Sequence, residues 1–106
     1  MATTDFYDAL ISYNSADSNE VNQIVRHLQN EGIITWFDID DVILGRNWKS
    51  AFSKAAKKST CVLVFFGQQG IGNWQKEEID LLDEHHNQYP DIPIITVILP
   101  GVINHP

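Results

Sequence analysis

The chain has a single cysteine, Cys61, and few basic residues. Seven Lys plus Arg stand against fourteen Asp plus Glu, a formal net charge of −7. One thiol cannot close a disulfide within the chain, which excludes a disulfide-stapled scaffold. Cys61 lies inside an apolar run and reads as a buried, inert thiol. The acidic balance argues against a nucleic-acid-binding surface. Lys49, Lys54, Lys57 and Lys58 cluster in one segment and read as the solvated face of a helix. No run approaches the ~18 apolar residues that span a bilayer. Met1-Ala2-Thr3-Thr4-Asp5 has neither the basic nor the long apolar stretch of a secretory signal. The expected compartment is the cytoplasm, with no direct contact to nucleic acid or membrane. Internal repeats, low-complexity tracts and linkers are absent from the sequence. What remains is 106 residues, 43% hydrophobic and 20% charged, the make-up of one ordinary globular domain.

Tyr7 to Tyr13 reads as a first strand, with a continuously apolar centre at Ala9 to Ile11. Asp17 and Glu20 form a capping-box pattern. Val21, Ile24, Val25 and Leu28 then fall at spacings of 0, 3, 4 and 7, one apolar helix face, and Gly32 is the stop signal. Ile33 to Phe37 is a second strand. Asp38 to Arg46 is a loop carrying three acids and a glycine, and Asn47 is a cap for a second helix with Trp48, Ala51, Phe52 and Ala55 on one face. Cys61 to Phe66 is a third strand, apolar throughout. The glycine loop Gly67 to Gly72 leads to Asn73, a cap for a third helix from about Trp74 to Asn87 with Trp74, Ile79, Leu81 and Leu82 as its apolar face. Ile92 to Leu99 is a fourth strand. This βαβαβαβ alternation predicts a parallel sheet with helices on both faces. In such sheets ligands bind outside the carboxyl ends of the strands.

Those strand ends exclude several chemistries. A phosphate-accepting receiver domain needs carboxylates at the ends of the first and third strands; here they read Ile11-Ser12-Tyr13 and Phe66-Gly67. No P-loop is present. Gly67, Gly70 and Gly72 have the wrong spacing, on the wrong strand, for a dinucleotide fingerprint. His85 and His86 are adjacent and diverge on a helix, and His27 and His105 have no neighbouring Cys or His, so no metal site is expected. No G-x-S-x-G elbow exists.

Four segments in order carry a family likeness. Tyr7-Asp8-Ala9-Leu10-Ile11-Ser12-Tyr13 resembles the opening box of Toll/interleukin-1 receptor (TIR) domains. Trp36-Phe37-Asp38 with Asp40, Asp41, Gly45 and Trp48 resembles the family's second strand and following loop. Gly72-Asn73-Trp74-Gln75-Lys76-Glu77-Glu78-Ile79 resembles the W-x-x-x-E signature of its third helix, and Ile94 to Gly101 is similar to the next strand of bacterial members. The likeness runs from about Tyr7 to Gly101 and leans towards prokaryotic members. It implies a flavodoxin-like three-layer α/β sandwich with strand order 2-1-3-4. It departs from the family pattern at Leu44, where proline usually precedes the loop glycine. The family also continues through a fifth strand that this sequence lacks. The expectation is a single TIR domain over 1–106, C-terminally truncated and part of a longer polypeptide.

TIR domains are either NAD⁺ glycohydrolases or assembly modules without chemistry. The discriminator is the helix glutamate. Trp74 and Glu78 are four residues apart and share one helix face, an aromatic plate beside a carboxylate. Breaking the nicotinamide–ribose bond creates an oxocarbenium-like ribose, which a carboxylate stabilises; a flat aromatic stacks on the cationic nicotinamide. The resemblance implies Glu78 as the catalytic residue and Trp74 as the stacking ring. It also implies substrate contacts from Tyr13, Asn14, Asp40, Trp48 and Arg46, with Ser12 and Ser15 as further hydrogen-bonding candidates. Asp41, Leu44 and Gly45 lie in the loop that the family uses for self-association. No cofactor or metal is implied, since NAD⁺ is the substrate. The implied activity is NAD⁺ hydrolase or cyclase, giving nicotinamide plus ADP-ribose or a cyclic isomer. Activation by homotypic TIR–TIR assembly, a fused or associated sensor module and a role in bacterial anti-phage defence are implied too. The alternative is a non-catalytic TIR interaction module, either a signalling scaffold or a virulence factor binding host TIR proteins. Plainer readings stand beside these. Trp74 and Trp48 are also candidates for core packing. Glu78 with Glu77, Asp80, Asp83 and Glu84 is also readable as a solvated acidic face.

Overall fold

The computed structural model describes residues 6–37, 48–68, 70 and 73–101. Strand β1 spans Tyr7–Ser12, and a 3-10 turn at Ser15–Asp17 leads into helix α1, Ser18–Asn30. Strand β2 is Thr35–Trp36, helix α2 Trp48–Lys57, strand β3 Ser59–Phe66, helix α3 Asn73–Gln88 and strand β4 Ile94–Ile98. The four strands form one parallel sheet in the order β2-β1-β3-β4, the flavodoxin-like arrangement expected. β1 and β3 are central, which accounts for their apolar runs.

Side-chain alternation along β1 divides the core. Ala9, Ile11 and Tyr13 join Val21 and Val25 of α1, with Phe37, Phe65 and Leu99, on one face of the sheet. Leu10 faces the other way, among Trp36, Val62, Val64, Phe52, Ala55 and Ala56 of α2 and Leu82 of α3. Trp36 and Phe52 meet edge to face there, with ring centroids 5.7 Å apart. Ser12 has the same parity as Leu10, so this polar residue of the strand also points at the α2/α3 layer. The four lysines of the α2 segment are exposed, as the sequence pattern suggests.

Gly32 ends α1 as anticipated. At φ +88° it takes the left-handed conformation, while Ile33 N bonds Leu28 O at 3.1 Å and Gly32 N bonds Gln29 O at 3.0 Å, a Schellman closure. The start of α1 differs from the expected capping box. Asp17 occupies the cap position but makes no side-chain capping hydrogen bond; its ψ of 9° departs from the extended geometry that aims a cap side chain forward. The preceding 3-10 turn is capped instead by Asn14, whose Oδ1 accepts from Ala16 N at 3.0 Å.

β2 is shorter than the predicted Ile33 to Phe37. Ile34 O accepts from Asp8 N and Ala9 N of β1, but Ile34 N donates to the Asp8 carboxylate (2.8 Å) rather than to a backbone carbonyl, and the paired register begins at Thr35. Cys61 is half-buried rather than buried, its Sγ 3.4 Å from Asp8 O. Burial and the nearby Asp8 charge push its thiol pKa up, which keeps it unreactive. β4 is the outer strand on its side among the described residues, with Ile95 44% exposed. Among the described residues no helix is long and apolar enough to cross a membrane.

Candidate active site

α3 differs most from its sequence reading. Its fully buried stripe is Gln75, Glu78, Leu82 and His85, at spacings of 0, 3, 7 and 10, with Ile79 and Leu81 half-buried beside it. Three of those four residues are polar, which no search for an apolar period detects. Glu78 is 2% exposed, whereas Glu77, Asp80, Asp83 and Glu84 all face solvent. The acidic run is therefore a solvated face from which one carboxylate is withdrawn.

Glu78 meets Ser12. The Ser12 Oγ donates to Glu78 Oε1 at 3.0 Å, and both residues are buried. The two are 66 positions apart in sequence, and the fold brings them together at the carboxyl end of β1. Ser12 is legible in retrospect as the polar member of an otherwise apolar inner face. What periodicity cannot say is which distant polar group it meets.

Asn14 is 7% exposed and committed at both ends of its amide: besides the bond to Ala16 N, its Nδ2 donates to Gly70 O at 3.0 Å. It ties the loop after β1 to the loop after β3. The Tyr13 ring packs on the α1 face, 5.4 Å from the Phe37 ring, over which Arg26 also lies at 5.6 Å. Ser15 is exposed in the 3-10 turn. Asp40, Asp41, Leu44, Gly45, Arg46 and the cap Asn47 lie outside the described residues, as do the side chains of Trp48, Asn73 and Trp74. Asn73, read as the cap of α3, is its first helical residue.

Two more buried polar groups border these elements. Gln75 is fully buried, its Nε2 donating to Phe65 O at 3.0 Å and its Oε1 without a partner among the described residues. An unmatched buried acceptor costs about 1–3 kcal/mol. On the α1 side of the strand ends, the Asp17 carboxylate lies against Gly67, so closely that a Cβ at Gly67 would collide with it. Burial pushes the Asp17 pKa up, and its Oδ2 has no partner among the described residues. Asp17, Glu20, Gln68 and Pro100 border a polar cleft of about 270 Å³ there.

A family profile described as the TIR domain matches residues 10–106. A protein of Methanobrevibacter olleyae, named a probable 2′ cyclic ADP-D-ribose synthase, TcpO, is 28% identical over 92 residues, covering 84% of this chain. This chain spans only 27% of that relative's length. Among solved structures, a TIR-STING receptor from C. gigas superposes with a TM-score of 0.77 at 22% identity, over 97% of this chain and 34% of the other. The TIR domains of the activated Roq1 resistosome superpose with a TM-score of 0.73 at 24% identity, over 87% of this chain and 57% of the other. At these identities the structural likeness establishes the fold.

Proposed function

The chain belongs to the TIR domain family, and from that premise we propose that it cleaves the nicotinamide–ribose bond of NAD⁺ with Glu78 as the catalytic carboxylate. The observation that carries the reading is the withdrawal of Glu78 from its acidic neighbours, 2% exposed and held by the Ser12 hydroxyl at the carboxyl end of β1. A solvated structural glutamate needs neither the burial nor the bond. The M. olleyae relative, named a probable 2′ cyclic ADP-D-ribose synthase, supports the same chemistry.

The scissile bond breaks with its electron pair moving to the pyridinium nitrogen, so nicotinamide leaves as a neutral molecule. Positive charge develops at the ribose carbon, and a carboxylate beside it stabilises that charge more than it does the ground state. Trp74, one turn before Glu78, stacks on the cationic ring. Water attack gives ADP-ribose; attack from within the same molecule gives a cyclic isomer. The leaving group is already activated by its own charge, so the reaction uses no metal or cofactor, and NAD⁺ enters as substrate. In this reading Tyr13, Asn14, Asp40, Trp48 and Arg46 complete the substrate contacts.

Burial of Glu78 in the single chain bears on control. A carboxylate 2% exposed meets a ribose only after its surroundings rearrange. Homotypic TIR–TIR assembly through the loop holding Asp41, Leu44 and Gly45 supplies that rearrangement. The resistosome among the structural neighbours supports an assembled active form. The chain covers 27% of the M. olleyae relative and 34% of the TIR-STING receptor, which supports a domain that works within a longer polypeptide. We extend the proposal to a sensor module on that polypeptide and a cytoplasmic role in prokaryotic antiviral defence.

The test is NAD⁺ consumption with chromatographic product identification over a protein dilution series. The reading expects nicotinamide release with a rate per chain that rises steeply with concentration. Concentration-dependent assembly without any nicotinamide release, in the chain and in the full-length protein, would favour the interaction module instead.

A further inference from the structure

Gln75 lies one turn before Glu78 on α3, fully buried. The carbonyl it bonds, Phe65 O, sits where β3 loses a partner. On the β4 side, Phe66 O accepts from Leu99 N at 2.8 Å. Alternation along the strand turns the neighbouring Phe65 O towards β1, whose paired register ends at Ser12 opposite Val64. Beyond that pair the β1 chain turns away, and a buried carbonyl there needs a donor from elsewhere. The Gln75 amide supplies it, at 3.0 Å, and so stands in for the residue that β1 no longer provides.

The other end of the same amide is the informative part. Oε1 is buried and unmatched among the described residues. Turning the amide over would set that oxygen against Phe65 O, two acceptors face to face, so the orientation is fixed. A side chain that satisfies one group while leaving its own oxygen orphaned is a poor filler for a core. Its place in the buried stripe fits a positional demand.

We propose that Gln75 is a positioning residue for Glu78: it pins the first turn of α3 to the end of β3, so that the carboxylate three residues later stays at the Ser12 hydroxyl. Glu78 and Gln75 share the buried stripe of α3, and Ser12 and Phe65 belong to the adjacent central strands β1 and β3. The anchor and the site therefore lie on one rigid unit. The functional part of this inference rests on the NAD⁺ reading of Glu78.

The experiment compares the chain with its Gln75→Leu, Gln75→Glu and Glu78→Gln variants. It reads melting temperature, amide exchange along α3, the side-chain carboxyl ¹³C resonance of Glu78 (identified by its loss in Glu78→Gln), and kcat and KM for NAD⁺. Gln75→Leu leaves Phe65 O without its donor but also removes the orphaned Oε1, one unmatched acceptor for another, so it melts within a few degrees of wild type. Exchange in the first two turns of α3 rises about tenfold or more, and the Glu78 resonance moves towards that of exposed Glu77. In the same variant kcat falls about tenfold or more while KM holds, the pattern of a lost transition-state interaction. Gln75→Glu offers an O–H donor only while protonated, so its kcat relative to wild type is greatest at acid pH and declines as pH rises. An unmoved Glu78 resonance in Gln75→Leu, unchanged exchange, or a loss confined to KM would overturn the proposal. If the wild-type chain does not cleave NAD⁺ at any concentration, the NAD⁺ reading falls. The anchoring is then judged on the resonance alone, supported if it moves and overturned if it does not.

Discussion

Ser12 and Glu78 form a buried pair whose two halves cannot be exchanged for apolar groups one at a time. Replacing Ser12 with alanine removes a donor from Glu78 Oε1 without removing the carboxylate. The expected cost is about 1–3 kcal/mol of stability, read as a lower urea midpoint with an unchanged m-value. NAD⁺ turnover falls with it, on the order of tenfold if the lost orientation is worth about 1.4 kcal/mol in the transition state. Glu78 itself was legible in the sequence because Trp74 and Glu78 stand four apart within a family signature. Its pairing with Ser12 was not, because hydroxyl-to-carboxylate contacts across 66 positions leave no periodic trace. Gln75 was hidden for a related reason: hydropathy assigns an amide to the surface, and only an unpaired strand carbonyl explains its burial.

At the scale of elements, the helices whose buried faces are apolar were read correctly and α3 only in part. Val21, Val25, Phe52 and Ala55 fall where a 3.6-residue period places them. The buried stripe of α3 mixes Leu82 with Gln75, Glu78 and His85, so the same method found Leu82, with Ile79 and Leu81 at its half-buried flank, and passed over the three polar members. The capping box at Asp17 was misread because a 3-10 turn, capped by Asn14, intervenes between β1 and α1. The far end of α3 carries a pH dependence. His85 is 9% exposed, stacked on Tyr89 with ring centroids 4.9 Å apart, and its Nε2 is buried without a partner among the described residues. Burial first, then the positive Lys57 of α2 and His86, lower its pKa, while Glu84 borders the same cleft. The unfolded chain therefore binds a proton there more readily than the folded one. The stability contributed by neutral His85 is complete above about pH 6.5, the ordinary histidine value, and is lost as pH falls through the lower folded value. Between pH 7.5 and 5 the urea midpoint of wild type should fall more than that of His85→Phe, which keeps the ring stack without the titration. Parallel pH profiles for the two would contradict this assignment.

Across the whole molecule, the strand order β2-β1-β3-β4 puts the ends of β1 and β3 at the centre of one sheet edge, with α1 on one face and α2 and α3 on the other. That architecture was legible because two long apolar strands and three helices alternate along a chain of only 106 residues, leaving few alternatives. Which face each loop residue serves was not, since a one-residue step along β1 moves a side chain from the α1 layer to the α2/α3 layer. Tyr13 and Ser12 are adjacent, yet one packs on Phe37 and the other meets Glu78. The central claim is that a single withdrawn carboxylate does the chemistry while its exposed neighbours do not. Its most direct test is NAD⁺ cleavage at assembling concentrations by wild type, Glu78→Gln and Glu77→Gln, all checked for equal melting and equal assembly. The account predicts nicotinamide release by wild type and Glu77→Gln and its loss in Glu78→Gln alone; release by Glu78→Gln at the wild-type rate would contradict it.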